Sequence, residues 1–419
     1  GSSVPDMLYE AEPKVIDVPV PDLSVLRCFI EAFFPNAADT DKSAKVTAGM
    51  RLSELNDLRR LISKDGVESI DDAISIYRFG YKDDPWKHLR QLLRKTDIEA
   101  ALSKRVRGQE DAVRNMANSL TTALEGMSGL VHSSVNTMPK GCIMLVGPSG
   151  TGKTELSKAV TELCMGDESK MIRIDCSEYE EKQSMYRLFG SPPGYVGYSE
   201  GGQLTEAVKS QKSYVILFDE FEKAHTAIQE ALLQILEDGR LTDGRGETVF
   251  FSQCLIIFTS NAGMTRDVTD PSTGRVIGSE YAVDPDDTEE HIRDMIISNL
   301  KLRFRPEFIN RIGEENIIIY RFMDEVATRS IVDMKLETFI ENNRSVNGYQ
   351  LIADSSVNEM FYDLAASKEQ RKYGGRGINN LIRYYLGNPL SVFTKKSDAQ
   401  DGDTIYATCE HGELSFSLS

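Results

Sequence analysis

Apolar positions along the chain change their period twice. Between residues 21 and 80 they recur at helical spacing, as Leu23, Leu26, Phe29, Ile30, Phe33 and Phe34, then Leu52, Leu55, Leu58, Leu61 and Ile62, then Ile70, Ala73, Ile74 and Tyr77. This predicts a small helical module, preceded by a loose, proline-containing lead-in at 1–20 and closed by the break Lys82-Asp83-Asp84-Pro85. From about residue 98 short continuous apolar runs appear at 142–146, 171–174, 214–218, 255–258 and 317–320. They alternate with helical segments at 154–164, 203–210, 226–237 and 290–302. Buried strands separated by helices predict a parallel sheet covered on both faces. Beyond residue 324 the rhythm breaks into helices at 324–343, 355–367 and 376–387, followed by strands near 404–408 and 413–417. The expected division is therefore 1–20 lead-in, 21–97 helical domain, 98–323 large α/β domain and 324–419 small α+β lid. No internal repeat is visible. The stretch 280–294, with seven acids against one arginine, reads as a solvated loop or helix entry.

Composition adds boundaries to this picture. At 419 residues the chain can hold two or three cores, and 40% apolar with 27% charged residues is ordinary for a soluble globular protein. A net charge of −17 argues against wholesale nucleic-acid binding, which needs a basic footprint. Six cysteines without a Cys-x-x-Cys pair favour buried free thiols in a reducing compartment. No apolar run approaches the length of a membrane span and no secretory signal is visible, so the expected location is cytoplasmic. Gly1-Ser2-Ser3 reads as a cloning remnant, which leaves organellar targeting open.

The run at 142–146 leads into Gly147-Pro148-Ser149-Gly150-Thr151-Gly152-Lys153-Thr154 and then a helix. In that context the glycines let successive backbone N–H groups turn onto phosphates at a helix N-terminus. Lys153 is expected to reach the β- and γ-phosphates of ATP, and the Thr154 hydroxyl to bind Mg²⁺. A second apolar run ends in Phe218-Asp219-Glu220. Asp219 is expected beside the Mg²⁺ and Glu220 beside the attacking water. A third run ends in Asn261, whose amide could hold that water or the γ-phosphate; a plain strand-ending turn residue is the competing reading. Between them lies Ser191-Pro192-Pro193-Gly194-Tyr195-Val196-Gly197-Tyr198, too rich in proline and glycine for a helix or central strand. An aromatic flanked by glycines on such a loop is suited to gripping a chain of any sequence.

These motifs occur in order with Val106-Arg107-Gly108-Gln109, Asp238-Gly239-Arg240-Leu241-Thr242-Asp243-Gly244, Thr259-Ser260-Asn261, Arg305-Pro306-Glu307-Phe308-Ile309-Asn310-Arg311-Ile312 and Tyr373-Gly374-Gly375-Arg376. Over residues 98–419 the chain resembles the AAA+ module of the Clp unfoldases, specifically the second ATPase module of ClpA, ClpB and ClpC. The resemblance implies an α/β P-loop NTPase core with a C-terminal α+β lid, alongside the helical N-terminal domain. It implies a ring, usually of six subunits, with ATP between neighbours. Arg311 would be the arginine finger, reaching the neighbour's γ-phosphate, and Arg376 the lid sensor on the subunit's own ATP. Val106 and Arg107 would flank the adenine. Tyr195 and Val196 would line an axial pore and pull a polypeptide through it, with Asp243-Gly244-Arg245-Gly246-Glu247 as a second pore loop.

The chain also departs from that pattern. It carries one ATPase module where ClpA, ClpB and ClpC carry two. Arg107 stands where isoleucine is usual, Gly313 where aspartate is common and Gly375 where alanine is common. In Arg275-Val276-Ile277-Gly278-Ser279, Ser279 replaces the last apolar residue of a tripeptide that docks on the ClpP peptidase, which argues against that partner. The 264–290 segment is still long enough to meet another protease or effector. Arg303 and Arg305 are rival finger candidates. The leading expectation is an ATP-driven unfoldase or remodelling ATPase. The alternatives are the regulatory ATPase of a protease or effector, and a nucleotide-gated interaction scaffold.

Overall fold

The computed structural model describes residues 21–34, 37, 39–62, 69–79, 85–126, 138–195, 198, 201–210, 214–284 and 287–419. The lead-in at 1–20, the break at 82–84 and the pore-loop residue Val196 lie outside the described residues. The chain divides into two compact units that meet at Lys87 and His88.

The first unit is helical, with α1 (Leu23–Phe33), α2 (Thr40–Val46), α3 (Leu52–Ile62) and α4 (Ile70–Phe79). Asp22 caps α1 by accepting the Val25 N–H, and Asp39 caps α2 through the Lys42 N–H. Leu26, Ile30, Leu55, Leu58, Ala73 and Ile74 fall on the inward faces and form one core. Helix α5 (Pro85–Leu93) runs across the division.

The second unit opens with α6 (Ile98–Ser103) and α7 (Glu110–Leu124). The large domain continues through β1 (Gly141–Val146), α8 (Lys153–Met165), β2 (Ile172–Asp175), α9 (Ser184–Phe189), α10 (Gln203–Ser210), β3 (Tyr214–Asp219) and α11 (Thr226–Asp238). A short antiparallel hairpin follows, β4 (Arg240–Thr242) with β5 (Thr248–Phe250), and then β6 (Cys254–Ser260). Next come the hairpin β7 (Thr265–Thr269) and β8 (Val276–Tyr281), α12 (Glu289–Arg303), α13 (Pro306–Ile312) and β9 (Ile317–Ile319). Five strands form one parallel sheet in the order β2-β3-β6-β1-β9. Every residue of β6 is buried, as expected for a central strand packed on both faces. In an open parallel sheet ligands meet the carboxyl ends of the strands, which here places β1, β3 and β6 side by side.

Phe218 and Phe221 flank the two acids that end β3, and they pack with Phe258 of β6 and with Phe304 and Phe308. The Phe221 ring centroid lies 5.1 Å from Phe308 and 4.6 Å from Phe258. This aromatic cluster seats α13 against the exit of β3.

The lid contains α14 (Glu325–Asn347), β10 (Gln350–Ala353), α15 (Ser355–Ala365), α16 (Lys368–Leu381), a π-helical turn at Ile382–Gly387, α17 (Asn388–Ser397), β11 (Thr404–Glu410) and β12 (Glu413–Leu418). Its three-stranded sheet pairs β10 parallel to β11, and β11 antiparallel to β12. In the lid the helices expected at 324–343 and 355–367 and both expected strands are present, while β10 and α17 were not anticipated; nor, in the large domain, were α7, α9 and the β4–β5 and β7–β8 hairpins. The helix expected at 376–387 is instead the end of α16 followed by the π-helical turn, with a kink at Gly374.

Candidate functional site

A cleft of about 320 Å³ opens at the carboxyl ends of β1, β3 and β6. It is lined by the loop 149–154, by Asp219, Glu220 and Asn261, by Val106 and Arg107, and by Ile331, Met334, Gly375, Arg376 and Asn379 of the lid. The loop from Gly147 turns into α8 at Gly152, whose φ of +102° suits glycine. Lys153 is buried, and its ammonium donates to the carbonyls of Gly147 and Pro148, both at 2.7 Å, and to Asn261 Oδ1 at 2.9 Å. Burial pushes the Lys153 pKa down to about 8, against the pull of Glu222 and Asp219. Asn261 is thus a cleft residue and not only a turn at a strand end; its N–H also donates to Glu222 Oε1 at 3.2 Å.

The two acids at the end of β3 are held differently. Asp219 is 6% exposed; its Oδ1 accepts from the Thr259 hydroxyl at 2.5 Å and from the Thr154 hydroxyl at 3.2 Å. Glu220 adopts a left-handed backbone (φ 54°), uncommon for a residue with a side chain and costing on the order of 1–3 kcal/mol. Its N–H donates to Thr259 Oγ1 at 3.0 Å, and its carboxylate pairs with Lys223 at 2.6 Å. Thr259 therefore ties both acids to β6. Arg173 on β2 donates to Asp219 Oδ2 at 2.6 Å and also lines the cleft. Neither residue was assigned a role from the sequence. The available signals were a charged residue inside the apolar run at 171–174 and a hydroxyl inside a buried strand.

The lid meets the phosphate loop directly. Gly375 N–H donates to the Gly150 carbonyl at 2.9 Å, and a Cβ on Gly374 would stand 2.6 Å from that same oxygen. This contact brings Arg376 to the cleft. Arg105, which also lines the cleft, bonds Glu155, Glu162 and Glu168.

Arg311 is not brought to this cleft. On α13 it pairs with Glu237 of α11 at 3.2 Å. Its rivals are also engaged elsewhere: Arg303 donates to the Glu222 carbonyl at 2.8 Å, and Arg305 pairs with Glu230. Tyr195 also stands apart from the cleft, 60% exposed, with its ring 5.6 Å from that of Tyr186. Ile277 is 67% exposed on β8. Among the described residues no helix is long and apolar enough to cross a membrane.

Residues 138–315 match the family described as AAA domain (Cdc48 subfamily). The chain is 38% identical over 324 residues to a protein named chaperone protein ClpB from Rhodopseudomonas palustris, covering 76% of this chain and 33% of that one. It is 37% identical over 326 residues to the ClpB chaperone of Rhodopirellula baltica, covering 76% and 34%. It is likewise 37% identical over 308 residues to chaperone protein ClpB3, mitochondrial, of Oryza sativa subsp. japonica, covering 74% and 29%. The chain spans about a third of the length of the curated relatives it matches. With the phosphate loop, the paired acids on β3 and the lid arginine in one cleft, the chain carries a Clp-family AAA+ ATPase module.

Proposed function

We propose that the protein is an ATP-driven unfoldase or remodelling ATPase that forms a ring and threads polypeptide past Tyr195. The observation that carries the reading is the pairing of a hydrolytic cleft with an exposed aromatic on a separate loop of the same unit. The loop 147–154 binds the phosphates of ATP, with Lys153 as the fixed cation and the α8 N-terminus behind it. Thr154 and Asp219 offer hydroxyl and carboxylate oxygens 3.2 Å apart, a hard-oxygen donor set that fits Mg²⁺. Bound there, Mg²⁺ supplies charge neutralisation on the phosphate oxygens. Glu220 and Asn261 orient the attacking water, and Arg376 reports nucleotide to the lid. Val106 and Arg107 face the base.

Arg311 lies outside its own cleft, which supports its acting on ATP held by a neighbouring subunit. A finger of this kind contributes roughly 10³–10⁵ in rate, about 4–7 kcal/mol of transition-state stabilisation. In this reading residues 98–323 are the engine, 324–419 the lid, and 21–97 a recruiting domain. The test is ATP-dependent unfolding of a tagged fluorescent substrate. Tyr195→Ala is expected to abolish it, and unfolding that persists would remove the threading role.

A second reading, a regulatory ATPase docked on a protease or effector, is favoured by the exposed Ile277 on the β7–β8 hairpin. It predicts a stable complex that is lost when residues 276–279 are replaced; retention of the complex would contradict it.

A further inference from the structure

Three glycine backbones meet at the base of the loop that carries Tyr195. Gly190 ends α9 just before the loop, Gly202 precedes α10 just after it, and Gly244 lies between β4 and β5. A Cβ on Gly202 would stand 2.3 Å from the Phe189 carbonyl carbon and 2.5 Å from Gly190 N. One on Gly244 would stand 2.3 Å from the Ser191 oxygen and 2.6 Å from that of Gly190. These separations exclude any side chain, so both ends of the Tyr195 loop and the hairpin share one backbone junction. The Gly244 N–H also donates to the Phe189 carbonyl at 3.3 Å.

Charged side chains fasten the same junction. Asp243 has no exposed side-chain surface, and it accepts the N–H groups of Arg245 at 3.0 Å and Glu247 at 2.8 Å. Its other oxygen accepts from Lys209 of α10 at 2.8 Å. Lys209 also reaches Glu247 at 2.5 Å and Glu206 at 3.3 Å, while Arg245 pairs with Glu206. Burial pulls the Lys209 pKa down, but its bonds to Asp243 and Glu247 hold it above the usual value. Glu206, Asp243 and Glu247 lie close enough together to ligate a cation. Lys209 and Arg245 already compensate them, so the cluster serves as a clasp.

We propose that Asp243 and Lys209 are positioning residues for Tyr195: they lock the β4–β5 hairpin and both ends of the Tyr195 loop into one gripping unit. The inference rests on the gripping role of Tyr195 proposed above. The reach of the aromatic is then set from α10 and the hairpin, and a change in either is felt at Tyr195.

The test is a double-mutant cycle on polypeptide affinity, read by fluorescence anisotropy of a fluorescein-labelled, reduced and carboxymethylated polypeptide. It uses the full chain carrying Glu220→Gln with ATP present. Lys209→Met is expected to weaken binding on the order of fivefold, and Lys209→Arg to restore it to within about twofold. Combined with Tyr195→Ala, Lys209→Met should add no further loss. Arg245→Gln, which breaks the more exposed pair with Glu206, should show the same non-additivity with a smaller loss and guards against a folding defect in Lys209→Met. Unchanged binding in Lys209→Met, or a loss that adds fully to that of Tyr195→Ala, would overturn the coupling. An inert Tyr195→Ala would overturn the grip itself, a separate outcome.

Discussion

In the loop at 147–154 the functional side chain is turned inward: Lys153 is buried and its ammonium is bonded to two carbonyls of its own loop. In the loop between Gly190 and Gly202 the aromatic is turned outward, and Tyr195 is mostly exposed. Both loops depend on glycine, at different places. In the first, Gly150 meets the backbone of the lid, so a ligand-binding loop is clamped by a second domain. In the second, Gly190 and Gly202 meet backbone at the base, while Gly194 beside the exposed Tyr195 meets nothing. A site that must hold a small charged ligand is built by enclosure. In the proposed reading, a site that touches passing chains is fixed at its root while Tyr195 stays exposed.

That contrast can be broken by substitution, starting with the largest expected effect. If Arg311 is the finger proposed above, Arg311→Ala should lower ATP turnover by roughly 10³-fold or more while a fluorescent nucleotide still binds, because the residue lies outside its own subunit's cleft. Measured phosphate release that falls less than tenfold would move the finger to Arg303 or Arg305. Phe308→Ala, which empties the aromatic cluster behind β3, should cost about 3–5 kcal/mol of folding stability, read by denaturant unfolding. Thr259→Val removes the hydroxyl shared by Asp219 and the Glu220 N–H. It should cost about 1–3 kcal/mol, with turnover falling through misplacement of both acids. Tyr195→Ala should shift stability by less than about 0.5 kcal/mol, since an exposed ring with one aromatic neighbour contributes little to the fold. A large loss of stability there would erase the contrast between the enclosed loop and the open one.

The sequence was most legible where burial forces a pattern. The central strands β1, β3 and β6 stood out as continuous apolar runs because they are buried within the sheet, and Asp219 and Glu220 stood out because they end one of them. Strand β10 was missed because its four residues bury only Leu351, and α17 because it begins at Asn388-Pro389 after a π-helical turn. The β7–β8 hairpin carries Arg266, Asp267 and Glu280 without the alternation that marks a half-buried strand. Within the cleft, the roles of Thr259 and Arg173 depend on which strands are neighbours. Pairing of β2 with β3 sets Asp175 beside Asp219 and brings Arg173 within reach of it, and no spacing along one chain contains that information. The clasp of Lys209 and Asp243 was hidden for the same reason.

In the proposed ring the cleft is completed by a second copy of the chain, and light scattering on the Glu220→Gln protein, with and without ATP at matched concentration, would read that assembly as mass. Glutamine fills the same space but cannot polarise water, so ATP should remain bound. A shift to a ring of about six subunits is expected when ATP is added, with Arg311 then facing a neighbour's nucleotide. A particle that stays monomeric with ATP bound would contradict it.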